Sequence, residues 1–289
     1  MGHSINGMAE RLEAALGAPG VLEVPGCYDV LSAMALEHAG FEAVFLSGYG
    51  FAASFFGNPD IGLTTLTETA LLTKNVTNAL DVPLLVDADN GYGNEDNVMR
   101  TVHELEHAGA AGMVIEDQVM PKRCGHTDGK QVIPRAEALK KLEHALAARK
   151  TPMRVVARTD ASPLPEAISR AQAFHAAGAD VTLIDGLRSL DEIERVGQEV
   201  PGLKQINLIH GGKTPLLPAA RLHALGFKVV AYSTPALYLT SKVLFEELAI
   251  LRKEGDLSAI SDRSTNFEAF QRFIEGRYLK KLAAKNIKV

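Results

Sequence analysis

Tryptophan is absent from this 289-residue sequence, and cysteine nearly so. Its two cysteines, Cys27 and Cys124, lie far apart in a chain too large to need a staple, which excludes a small disulfide-framed scaffold and makes reduced thiols the expectation. Cys27, in "VPGCYD", reads as a buried small hydrophobe. No continuous apolar run approaches the ~18 residues of a membrane span, and the start "MGHSINGMAERLEAALG" lacks the charged, apolar, small-residue order of a signal peptide. A cytoplasmic protein is therefore expected. There is no Lys/Arg-rich arm, and the net charge of −5 gives no general attraction to nucleic acid or anionic membrane, so neither is expected as a partner. No Ser/Gly-rich linker divides the chain, which reads as one domain over 1–289.

What the sequence does have is a repeat. Short, β-branched apolar runs occur at 21–26, 43–48, 83–89, 112–117, 154–160, 180–186, 204–209 and 228–233. Strands covered on both faces read as continuous apolar runs, so these favour parallel pairing over a half-exposed antiparallel sheet. Between them lie segments such as "NEDNVMRTVHELEHAGA" and "PLPEAISRAQAFHAAGA", with apolar residues three and four apart and a closing Ala-Gly that marks a helix C-terminus. About eight strand-helix repeats in one chain predict an α/β fold, the (β/α)8 TIM barrel. The alternative is an open doubly wound sheet. The absence of G-x-G-x-x-G after the first run weighs against its dinucleotide-binding form.

The runs end in polar or flexible residues: Ser47 and Gly48, Asp87 and Asp89, Glu116 and Asp117, Arg158 and Asp160, Asp185, Asn207, Ser233. A parallel barrel gathers all these ends on one face, which predicts a shared site. Asp87 and Asp89, two apart, point the same way if the strand is extended. With Glu116 they form an all-oxygen cluster that would repel itself without a cation. Such a cluster suits Mg²⁺ or Mn²⁺ better than zinc.

Taken together, "SGYG", "NPDIGLTT", "VDADNGYG", "IEDQVMPKRCGHTDGK", "ARTDA" and "GGKTP" closely resemble the isocitrate lyase and phosphoenolpyruvate mutase superfamily, in its 2-methylisocitrate lyase and carboxyphosphonoenolpyruvate mutase branch. The resemblance runs from "VPGCYDVLSA" through "GKTP". It implies a TIM barrel whose C-terminal helices, here 235–289, swap between subunits of a homodimer or homotetramer. It also implies a small carboxylate substrate held as a Mg²⁺-bound 2-oxo acid or its enolate. By resemblance, Asp87 is the direct metal ligand, and Asp60, Asp89 and Glu116 hold metal-bound waters. Ser47, Gly48 and Tyr49 grip the pyruvate-like moiety, and Arg158 contacts the same ligand.

In the family, "KRCGH" lies on a loop that closes over the metal, and its cysteine, here Cys124, is the acid/base for the departing carbanion. Lys122, Arg123 and His126 around it are expected to favour thiolate, and Gly125 and Gly129 to let the loop move. The candidate catalytic residues are Cys124, Arg158, Glu116 and His126. The substrate contacts are completed by Lys122, Arg123, Gly125, Asp185, Asn207, His210 and Ser233. The implied reaction is carbon–carbon cleavage of a 2-hydroxy di- or tricarboxylate of 2-methylisocitrate or 2-alkylmalate type, giving pyruvate or glyoxylate plus a second acid. The chain departs from the lyase pattern at Asp185, where a glutamate is usual, and at His210, which stands in the acidic position before "GGKTP". Those departures keep oxaloacetate decarboxylase or hydrolase and phosphonomutase chemistry as alternatives. Beyond the eighth run, more than fifty residues carry Leu244, Leu248, Leu251, Phe267, Phe270, Phe273, Ile274 and Tyr278 at helical spacing, a stripe that has to be buried against something.

Overall fold

The computed structural model describes residues 5–284; the outermost residues of the domain and tail readings above, 1–4 and 285–289, lie outside it. All eight apolar runs are strands: β1 Leu22–Cys27, β2 Val44–Leu46, β3 Leu84–Asp87, β4 Gly112–Glu116, β5 Arg154–Thr159, β6 Val181–Ile184, β7 Lys204–Leu208 and β8 Val229–Tyr232. They pair in parallel, each with its neighbour in sequence, and β8 closes on β1. Closure rules out the open doubly wound sheet.

Two signals set the helices. α5 (Glu95–His107) and α7 (Leu164–Ala176) sit inside the segments read as helical. Each ends at a left-handed glycine, Gly109 (φ 86°) or Gly178 (φ 100°). Just beyond, Ala110 N–H donates to Leu105 C=O and Ala179 N–H to Phe174 C=O, the 6→1 bond of a Schellman stop. At the N-termini, Thr65 and Asn94 make reciprocal capping boxes with Glu68 of α4 (Leu66–Ala79) and Asn97 of α5.

Side-chain alternation along the strands builds the site. Leu84, Val86, Met113, Ile115, Val155 and Ala157 pack in a cluster with helical residues such as Val98, Val102, Leu142 and Phe174. Their neighbours Phe45, Leu85, Val114, Val156 and Leu183 instead join Met8, Leu12 and Leu16 of α1 (Ile5–Gly17) in a second cluster. The second set faces into the barrel. Two residues on, the same inward register becomes Ser47, Asp87, Glu116, Arg158 and Asp185. One periodicity thus fills the interior with apolar side chains and ends it in polar ones at the C-terminal mouth.

The predicted strands run too far at their C-terminal ends. The 43–48 run is strand only to Leu46, and the 83–89 run only to Asp87. Gly48 already opens the short helix α3 (Gly48–Phe51), and Asp89 turns left-handed at φ 48°. Asp87 and Asp89 therefore do not share a face of one extended strand, and the chain turn is what brings Asp89 back to the cluster.

Ile5–Ala236 forms one compact unit, and a second begins at Leu237. The latter carries most of α10 (Pro235–Glu254), a 3-10 turn at Leu257–Arg263 and α11 (Phe267–Ala284). Phe267, Phe270, Ile274 and Tyr278 of α11 are exposed on the single chain. No helix among the described residues is long and apolar enough to cross a membrane.

Candidate active site

The mouth of the barrel is built around carboxylates. Gly48 N–H donates to Asp87 Oδ2 (3.3 Å), and Asp89 N–H to Asp87 Oδ1 (3.2 Å). A Cβ on Gly48 would lie 2.8 Å from Asp87 Oδ2, so only glycine lets the Ser47-Gly48 segment approach so closely. Ser47 caps α3 through Gly50 N–H, and Tyr49 lies in the first turn of that helix. Asp87 and Asp89 also line a small pocket with Thr64, Thr69 and Tyr92.

Arg158, from β5, is claimed by three acids: Asp160 through Nε (2.8 Å) and NH2 (3.1 Å), Asp185 (3.0 Å) and Glu116 (3.2 Å). Burial opposes its charge, and these carboxylates hold its pKa well above the ordinary value. Asp185 also accepts from Asn207 Nδ2 (3.1 Å). Burial would raise the Asp185 carboxyl, but Arg158, His126 and Lys130 outweigh it and hold the group well below the usual range.

The loop carrying Cys124 is closed over this face. Lys122 is 2% exposed at its side chain and reaches Asp60 (2.9 Å) and Asp89. Burial disfavours its charge, but Asp89, Glu116, Asp87 and Asp60 keep it an ammonium. Gly125 fits against Asp185 and Arg158, where any Cβ would lie 1.8 Å from Asp185 Oδ2. His126 Nδ1 accepts from Lys213 N–H (3.0 Å), while Nε2 points toward Asp185 at 3.7 Å, too far for a hydrogen bond.

The expectation that its neighbours hold Cys124 as thiolate is overturned. Burial pushes the thiol above its ordinary pKa, and Asp185 adds to this against the pull of the His126 N–H and Arg158. Lys122 is spent on Asp60 and Asp89, and Arg123 is exposed with its guanidinium over Gly129. Cys27 is fully buried, and burial pushes its thiol far up as well.

The remaining sequence candidates are scattered more widely. Ser233 is buried at the end of β8, its N–H donating to Leu208 C=O (3.2 Å). His210 is exposed in the loop after β7, and Arg123 does not face the cluster. Three residues at the mouth had been given no individual role, although Asp160 stood among the strand-end residues of the predicted site. Asp160 binds Arg158, Lys130 Nζ binds Asp160 (2.7 Å), and Gln118 grips the loop backbone. Asp160 and Lys130 were visible as a strand-end acid and the last cation of the loop stretch.

The donor set fits a hard divalent cation. Asp60, Asp87, Asp89, Glu116, Asp160 and Asp185 lie among the cations Lys122, Lys130 and Arg158, with His126 Nε2 near Asp185. Burial, together with Asp87 and Asp60, pushes Asp89 up to about 6 despite Lys122. Burial likewise lifts Glu116 well above the usual range, and neither of its buried oxygens has a hydrogen-bond partner. Among the described residues no three His, Cys, Asp or Glu side chains converge closely enough to hold a metal directly. The cluster suits a cation with few protein ligands and several waters, the habit of Mg²⁺.

The family model for phosphoenolpyruvate phosphomutase matches residues 12–249. The chain is 36% identical over 266 residues to 2,3-dimethylmalate lyase of Eubacterium barkeri, covering 91% of this chain and 92% of that protein. It is also 36% identical to 2-methylisocitrate lyase of Halalkalibacterium halodurans, covering 91% and 89%. Among solved structures, oxaloacetate acetylhydrolase in complex with 3,3-difluorooxalacetate superposes with a TM-score of 0.91 at 29% identity, over 99% of both chains. The barrel is thus a family's shared frame, and the chain is an enzyme belonging to the phosphoenolpyruvate mutase and isocitrate lyase superfamily.

Proposed function

We propose that the chain is a Mg²⁺-dependent carbon–carbon lyase that cleaves a 2-hydroxy di- or tricarboxylate into a 2-oxo acid and a second carboxylic acid. The observation that carries this reading is the place of Cys124, on a loop whose Lys122 reaches Asp60 and whose Gly125 packs against Asp185, so that the thiol lies over the acid cluster. A phosphonomutase has no need of a proton donor aimed at a carbon, whereas a decarboxylase also leaves an enolate to be protonated and is told apart by its carbon dioxide. Asp60, Asp87, Asp89 and Glu116 would hold the cation, which supplies Lewis-acid polarisation of the substrate's 2-oxygen. Gly48 N–H, Ser47 and Arg158 hold the 2-oxo acid half, Arg158 exchanging one of its present carboxylate partners for the substrate's. The hydroxyl proton passes to a carboxylate of the cluster and the carbon–carbon bond breaks. Its electron pair leaves with the second fragment as an enolate, and Cys124 delivers a proton to that carbon. The resulting thiolate recovers its proton before the next turnover. The closed loop, with Gly125 against Asp185, excludes water from the enolate.

The identities to dimethylmalate and methylisocitrate lyases support a branched hydroxy acid. The superposition on oxaloacetate acetylhydrolase favours oxaloacetate as a second candidate. The test is a panel of 2-hydroxy di- and tricarboxylates, oxaloacetate and phosphonopyruvate with Mg²⁺, assayed for pyruvate and glyoxylate. Release of either from a hydroxy acid supports the lyase. Turnover of oxaloacetate or phosphonopyruvate alone contradicts it.

The same reading assigns 235–289 as an extension exchanged with a partner subunit. The exposed stripe of Phe267, Phe270, Ile274 and Tyr278 supports it, because an isologous exchange would cover such a surface twice over. At micromolar concentration, light scattering is expected to give a dimer or tetramer, and deletion from Ser264 onward to give insoluble protein. A monomer, or a soluble active truncation, would refute the exchange.

A further inference from the structure

The loop bearing Cys124 leaves and re-enters the barrel through a short neck. Val119 N–H donates to Gln131 C=O and Ile133 N–H to Asp117 C=O, both at 2.9 Å, with Gln118 opposite Val132. The apex beyond this neck has no ladder of its own, so side chains must fix it. Gln118, 1% exposed, supplies the fastening. Its Oε1 accepts from Arg123 N–H (2.9 Å), and its Nε2 donates to Arg123 C=O (2.8 Å). One amide captures both polar groups of one residue's backbone, as a neighbouring strand would. Arg123 immediately precedes Cys124, whose own carbonyl accepts from Thr127 N–H (2.9 Å) and Oγ1–H (2.8 Å). Both peptide units flanking the thiol are therefore pinned.

We infer that Gln118 is a positioning residue that sets the thiol of Cys124 over the acid cluster, an inference that rests on Cys124 being the proton donor. Replacement by Glu puts a carboxylate oxygen against the Arg123 carbonyl that Nε2 now serves. Replacement by Leu removes both bonds. Arg123 is exposed, so water can satisfy its backbone in either variant, and the effect falls on the loop's position.

The experiment compares wild type, Gln118→Glu and Gln118→Leu as full chains, with Tm measured for each. Iodoacetamide labelling of Cys124 at pH 8 without substrate is followed by mass spectrometry; Cys27 is buried and serves as the internal control. Labelling is expected to speed up about tenfold in Gln118→Leu, the weight of two lost hydrogen bonds, and to speed up in Gln118→Glu as well, which keeps an acceptor for the Arg123 N–H but sets a carboxylate against the Arg123 carbonyl. On the best panel substrate, kcat should fall while inhibition by the 2-oxo acid product stays unchanged. Wild-type labelling rates in a variant of unchanged Tm would overturn the inference. Faster labelling with unchanged kcat would uphold the positioning and refute the proton-donor role. If neither variant folds, Arg123→Pro removes the same N–H donor from the exposed side. Faster labelling there supports the inference and an unchanged rate overturns it.

Discussion

Cys124→Ser is expected to lower turnover by about 10² or more, the usual weight of one positioned acid. Serine keeps the shape of a half-buried site but raises the donor's pKa beyond use near neutrality. The fold should survive, since Cys124 belongs to neither of the hydrophobic clusters that fill and surround the barrel. Binding of the 2-oxo acid should survive too, because Gly48, Ser47 and Arg158 are untouched. Steady-state kinetics with product inhibition separates the two effects: kcat falls and the inhibition constant holds. Unchanged turnover would point to phosphonomutase chemistry.

Removal of divalent metal is expected to abolish activity outright. An anionic substrate would otherwise enter a mouth where six carboxylates already outnumber Lys122, Lys130 and Arg158. EDTA should eliminate turnover and excess Mg²⁺ or Mn²⁺ restore it. The metal should also stabilise the fold, by about 2.7 kcal/mol at a hundredfold excess over Kd, visible as a rise in Tm. Full activity in chelator, with no metal by elemental analysis, would contradict the cluster's assignment.

The barrel was legible because strands buried on both faces are continuously apolar, and helices such as α5 and α7 announce their ends with Gly109 and Gly178. Convergence of the site was legible for the same reason, since parallel strands put Asp87, Glu116, Arg158 and Asp185 at one mouth. What sequence hides is where each side chain spends its charge. Lys122, Arg123 and His126 surround Cys124 along the chain, yet Lys122 is tied to Asp60, sixty residues away in sequence, and Arg123 turns outward. The thiol instead feels burial and Asp185, which reverses its shift. The turn at Asp89 was hidden too, because a left-handed non-glycine residue leaves no mark in a run that reads as strand. Gln118 carries no signal at all, since its partner is a backbone.

The most direct measurement is NMR identification of the products formed from the best panel substrate in D2O with Mg²⁺. The expected result is a 2-oxo acid and a second carboxylic acid in equal amounts, the latter carrying one deuterium on the carbon that broke away. Carbon dioxide, or a phosphorus-containing product, in place of that pair would contradict a lyase that delivers its proton from Cys124.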